Sequence, residues 1–149
     1  MKVKVETRYA ARRPWVPRAS QFARWAGVAL KGARQPTTLS VFVVGAARSR
    51  ALNARYRGKD RPTNVLSFAG AGAGPDGRSQ IGELVICAPV VAREARAQGK
   101  SPESHWAHMT VHGVLHLLGF DHERPAAARK MAKLEIQLLD KLGFSNPYA

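Results

Sequence analysis

All five histidines of this 149-residue chain lie between positions 105 and 122, and three of them constrain its folding more than any other feature. His112 and His116 stand four apart in a stretch that reads as helix, so they stack on one face with Cβ atoms about 5–6 Å apart. His122 follows beyond Gly119. A glycine there can take φ > 0, end the helix and reverse the chain, which swings His122 toward the other two. Three imidazoles can then share one zinc ion at Zn–N of about 2.0–2.1 Å and leave a fourth tetrahedral corner for water, the arrangement of a catalytic site. His108, four residues before His112, is expected in a supporting shell behind the metal or in packing. Asp121 can accept an imidazole N–H or cap the next helix.

His-x3-His-x5-His with an intervening glycine is also the zinc spacing of metzincin proteases. Those enzymes place Glu directly after the first His as general base. Here that position is Gly113, which can neither take nor give a proton, so a peptidase of that type is disfavoured. Glycine inside a helix costs about 0.8–1.0 kcal/mol against alanine. Close approach of substrate or of another helix would account for it.

The rest of the chain reads as one α+β domain. Residues 2–9 alternate, with Val3 and Val5 on one face of a strand suited to a sheet edge. Arg18 to about Ala33 reads as an amphipathic helix with Phe22, Trp25, Val28 and Ala29 inward. Thr38–Val44 is β-rich and ends at Gly45. Residues 47–56 suggest a short helix with Leu52 and Tyr56 four apart, followed by a polar loop over 57–64. Val65–Phe68 is a short strand, and the glycine-rich run 69–79 reads as a flexible loop. Ile81–Ala88 is a strand buried on both faces. Pro89 opens a helix that stops at Gly99, and Ser101 caps the histidine-bearing helix. A last helix runs from Pro125 to Gly143 with Met131, Leu134, Leu138 and Leu142 inward. The expected fold is a mixed, mostly four-stranded sheet packed with about five or six helices, the zinc site lying on a helix and its following turn.

Lys and Arg number 24 against 10 Asp and Glu, a net charge of +14. That is well above the roughly 2–8 that solubility asks of a small domain, and it favours a polyanionic partner. The single cysteine, Cys87, lies in an apolar run and reads as a buried hydrophobe. No apolar run is long enough for a signal peptide core or a membrane span. A cytoplasmic, monomeric protein that engages neither membrane nor DNA is expected.

Three ordered blocks carry a more specific likeness. His112-Gly113-x-x-His116-Leu117-x-Gly119-Phe120-Asp121-His122 resembles the signature of the YbeY family of bacterial endoribonucleases. Asn53-x-x-Tyr56-Arg57-Gly58-Lys59-Asp60-x-Pro62-Thr63-Asn64-Val65-Leu66-Ser67-Phe68 and Gly82-Glu83-Leu84-Val85-Ile86-Cys87 agree with it, as does His105-Trp106-Ala107-His108-Met109. The resemblance spans residues 53–122. It implies zinc-dependent cleavage of single-stranded RNA in ribosomal RNA maturation, including the 16S 3′ end, and in quality control of the small ribosomal subunit. It places the zinc on His112, His116 and His122, and an arginine important for activity on Arg57. Phe120 stands where Tyr is common and Glu83 where Asp is common. The stretch 70–77 looks longer and looser than in the family.

Zinc on three neutral imidazoles could activate a water near neutral pH, or polarise a phosphoryl oxygen while a ribose 2′-hydroxyl attacks. The sequence leaves both open. Either path builds charge that the Arg57 guanidinium could hold. Lys59 and Arg61 are expected to grip RNA phosphates without reading bases. The competing readings are a non-catalytic zinc-binding ribosome-assembly factor and, less favoured, a zinc peptidase or amidase.

Overall fold

Val3 and Val5 turn toward the core while Lys4 and Glu6 face solvent, as their alternation requires. They form strand β1 (Val3–Tyr9) of the computed structural model, which describes residues 2–121 and 123–149. The chain continues through α1 (Ala19–Ala29), β2 (Thr37–Val44), α2 (Ala46–Arg57), β3 (Val65–Ala73), β4 (Ser79–Cys87), α3 (Ala88–Ala97), α4 (Pro102–Leu117) and α5 (Pro125–Lys141). One four-stranded sheet has the order β1-β2-β4-β3. β1/β2 and β2/β4 are parallel, and β3 closes the other edge antiparallel to β4. The expected α+β class, mixed sheet and edge position of β1 are all found.

The main core fills one face of the sheet. Leu39, Val41, Val43, Leu84 and Ile86 point into it and meet α1 and α4. Phe22 stands edge-on to both Trp25 and Trp106, with ring centroids 5.8 and 5.9 Å apart, a geometry that suits the opposed charge of ring face and ring edge. The other face carries a smaller cluster of Val44, Leu66, Val85, Cys87 and Val90, with Leu52 and Phe42 packed against it. Cys87 is buried there as expected.

Two expectations change. α1 ends at Ala29, four residues short of Ala33, because the chain turns at Leu30–Ala33 and must then extend through Pro36 into β2. Residues 69–79 are not a loop. They are the paired ends of β3 and β4 around a tight turn, where the Gly74 N–H donates to the Arg78 carbonyl at 2.7 Å. Glycine permits the pairing. A Cβ at Gly70 would run into the Gln80 carbonyl, and one at Gly82 into the Phe68 carbonyl. The abundance of glycine there marks close backbone approach, not looseness.

α2 holds the segment that follows it. Tyr56 is 50% exposed, and the buried positions of the helix are Ser49 and Asn53. Ser49 Oγ accepts the Thr63 N–H at 3.0 Å and lies 3.1 Å from the Thr63 carbonyl. Asn53 Nδ2 donates to the Arg61 carbonyl at 2.8 Å. Two small, buried polar side chains thus clamp the 57–64 segment onto the helix by pairing with its backbone groups. Gly58, in the left-handed region at φ 71°, ends α2 and starts that segment.

Candidate metal centre and the groove beside it

α4 begins as its sequence requires: Ser101 accepts the Ser104 N–H, and Pro102 fills the first turn. The helix is buried along most of its length, so its histidines occupy fixed positions. Gly113 is where α4 presses on the sheet. A Cβ there would come within 2.7 Å of Leu84 Cδ2 and 3.3 Å of Ser67 Oγ. The small residue is therefore demanded by the sheet, not by a neighbouring helix, and Ser67 Oγ donates to the Gly113 carbonyl at 3.1 Å. The helix stops at Leu118. Gly119 has φ 96°, and the Phe120 N–H returns to the Leu115 carbonyl at 3.0 Å. The glycine reversal read from sequence is present. His122, expected as the third ligand, lies outside the described residues.

His112 Nε2 and His116 Nε2 are 3.1 Å apart. Two nitrogens on one tetrahedral zinc, each at about 2.0–2.1 Å, stand roughly 3.3–3.4 Å from each other. The pair is thus close to ligand spacing. The other nitrogen of His112, Nδ1, faces Glu135 of α5 at 3.3 and 3.4 Å from its two oxygens. Glu135 is 1% exposed. It also lies 2.6 Å from His108 Nε2 and accepts the Tyr148 hydroxyl at 2.8 Å.

Burial opposes ionisation of Glu135, but the hydrogen bonds from His108, His112 and Tyr148 win and hold its pKa at about 2. A carboxylate that stays ionised makes the facing ring nitrogens the N–H ones. His112 then carries its proton on Nδ1 and presents a lone pair at Nε2. Burial pushes the His108 pKa down and favours the neutral ring, against the pull of Glu135. Tyr148 is pushed up by burial and by its bond to Glu135.

Among the described residues, His108, His112 and Glu135 have ligand atoms all within 4.8 Å of one another, and this buried group could hold a metal ion. Glu135 was not legible as a site residue. Its signal was a carboxylate in the apolar register of the last helix, between Met131 and Leu138–Leu139. Asp121, by contrast, turns one oxygen to the Glu123 N–H at 2.8 Å. Among the described residues, the carboxylate against His112 is Glu135. One turn further back along α4, buried His105 lies 2.9 Å from Glu94, which also accepts from Asn64. Burial raises the Glu94 pKa, but these hydrogen bonds leave it lowered. The chain Asn64–Glu94–His105 ties the start of β3 to α4.

His112 and His116 open on a groove of about 790 Å³ whose other wall is the 57–69 segment. Arg57, Lys59 and Arg61 all line it. Arg57 Nη2 donates to the Ser67 carbonyl at 2.9 Å, and its guanidinium lies 5.1 Å from the Phe68 ring centroid. Glu123 also reaches the groove, a position the sequence did not single out. Imidazole nitrogens on one wall and three cations on the other suit a phosphodiester between them.

Comparison with known proteins identifies the family. Residues 15–143 match the family model described as Endoribonuclease YbeY. A curated protein named endoribonuclease YbeY from Stenotrophomonas maltophilia strain K279a is 48% identical over all of this chain and 95% of its own length. One of the same name from Laribacter hongkongensis is 50% identical over 90% of this chain and 82% of its own. The solution structure of TM1509 from Thermotoga maritima superimposes with a TM-score of 0.55, covering 94% of this chain and 91% of that one at 23% identity. That likeness speaks for the fold. Among the described residues no helix is long and apolar enough to cross a membrane.

Proposed function

The chain belongs to the YbeY endoribonuclease family, and from that membership we propose that it is a zinc-dependent endoribonuclease that cuts single-stranded ribosomal RNA. The carrying observation is the pair of facing imidazole nitrogens of His112 and His116, 3.1 Å apart at the groove that Arg57 lines. In this reading one zinc is held by those two nitrogens and by His122, whose sequence position after Gly119 suits it. The buried His108–Glu135–Tyr148 group then serves as the hydrogen-bonded backing of His112, because its short contacts are those of shared protons.

Zinc, when bound, supplies Lewis-acid charge and can lower the pKa of a water toward 7. The residues of the chain do the rest. Glu135 holds the proton of His112 on Nδ1. The Arg57 guanidinium takes phosphoryl oxygens as negative charge grows on them, with the hydrogens that its bonds to the Tyr56 and Ser67 carbonyls leave over. Lys59 and Arg61 hold flanking phosphates. Either a water or the neighbouring 2′-hydroxyl can be the nucleophile within this arrangement. The natural setting we propose is maturation of the 16S 3′ end and quality control on the small ribosomal subunit, by a cytoplasmic monomer. The family supports an RNA substrate, and the charge of +14 suits a polyanion.

The test is a cleavage assay on single-stranded and duplex RNA with zinc, with chelator, and with the His116→Ala variant. Cutting confined to the single strand, abolished by chelator and by the substitution, is expected. Undiminished cutting by His116→Ala would end the proposal. The non-catalytic assembly-factor reading predicts bound zinc and bound RNA with no cleavage under any of these conditions.

A further inference from the structure

Toward β1 and along α2, the sheet face that carries the smaller core is not an ordinary solvated surface. On it, buried Leu66 of β3 and Val85 of β4, half-buried Phe42 of β2 and exposed Arg8 of β1 stand in one register row. Phe68 lies one row along, beside α2. Each aromatic side chain there carries a guanidinium. Arg8 lies 4.2 Å and Arg48 5.4 Å from the Phe42 centroid. Arg55 lies 5.2 Å from that of Tyr56, and Tyr56 itself stands edge-on to Phe68 at 5.3 Å. The acids nearby are already matched: Glu83 with Arg8, Asp60 with Arg50 and Glu6 with Lys4. Among the described residues neither Arg48 nor Arg55 has a carboxylate within ion-pair distance, and both are exposed.

This face is continuous with the groove. Arg57 lines the groove on one side and lies over Phe68 on the other, so it stands where a strand leaving the imidazoles would cross β3. We propose that the arginine–aromatic face of α2 and the adjoining sheet holds the length of single-stranded RNA that flanks the bond to be cut. The proposal rests on RNA as the substrate of the groove. Its chemistry is that of a track for unpaired strands: cations meet phosphates while the exposed Tyr56 ring offers a face to a base. A duplex, with its bases stacked inside, could use only the cations.

The experiment measures binding of two labelled oligouridylates, one short enough to fit the groove and one several times longer, with chelator present so that neither is cut. The wild type is compared with the Arg48→Ala/Tyr56→Ala double variant. Loss of the flanking contacts should weaken the longer RNA by about tenfold, and the shorter by less than about twofold. Equal loss on both lengths, or no loss on either, would overturn the proposal. Displacement of the longer RNA by polyglutamate at matched charge concentration would overturn it too, marking an acidic protein as the occupant. Failure of the nuclease reading looks different: wild-type protein with zinc would leave RNA intact while the length effect on binding persisted.

Discussion

His112 Nδ1 lies 3.3 Å from Oε1 of Glu135, a carboxylate twenty-three residues further along the chain and shut away from solvent. The contact fixes which imidazole nitrogen carries the proton. Glu135→Gln keeps the shape of the side chain but removes the charge that enforces this tautomer. Metal affinity should fall about 10–100-fold, read by competition with a chromophoric chelator. Unchanged affinity would remove Glu135 from the site. Tyr148→Phe leaves the carboxylate with its histidines and should give a smaller loss in the same assay.

Acid should unfold the protein in a window set by the same network. The Glu135 pKa falls from its ordinary 4.5 to about 2 on folding. Its contribution is therefore present above about pH 4.5 and is lost as pH falls toward 2. His108 has a folded pKa below 6.5, so the unfolded chain binds its proton first, and stability starts to fall below about pH 6.5. Urea melts of metal-free protein from pH 7 to pH 3 should show stability decreasing throughout. The Glu135→Gln variant should lose the lower part of that slope.

Arg57→Ala should lower kcat by about 10²–10³, as expected for removal of one preorganised charge-stabilising donor. Bound zinc should stay at the wild-type level, measured by metal content after dialysis. A variant that cuts RNA normally would take Arg57 out of the mechanism and leave it as a brace for the Ser67 carbonyl.

Lys59 and Arg61 are assigned to phosphates. Each removed cation should flatten the plot of log binding constant against log salt by about 0.7 for a single strand. Lys59→Ala and Arg61→Ala proteins titrated with RNA over a salt series would show it, and an unaltered slope would move these side chains off the RNA.

Asn53→Ala removes the donor that holds the Arg61 carbonyl. Loss of this part-buried bond costs about 0.5–1.5 kcal/mol, measurable as a lower unfolding midpoint. The looser loop should also raise KM for RNA more than it lowers kcat.

What could be read in advance followed the physics of periodicity. The helix under His112 and His116, the reversal at Gly119, the edge strand at the start of the chain and the burial of Cys87 all follow from helical or strand spacing, from one residue's conformational freedom or from a local apolar run. The misreadings arose where a contact joins residues distant in sequence. Gly70 and Gly82 looked like looseness because the carbonyls they make room for belong to the paired strand. Glu135 lay hidden because its partners sit on another helix. Ser49 and Asn53 were not singled out, since backbone groups awaiting a hydrogen bond leave no trace in a hydrophobic pattern. The place of His122 relative to the pair lies outside the described residues.

α4 carries the imidazoles and also fills the space between the sheet and its other helices, so Gly113 has Leu84 against it and His112 has Glu135 behind it. Chemistry and scaffold therefore share one rigid rod, and mutations that retune the reacting centre will register as defects in assembly of the domain. The opposite wall is held by two polar clamps and is free of that obligation. Variation in which RNAs are accepted, whether by natural drift or laboratory selection, should accumulate between Arg57 and Asn64 while the rod stays constant.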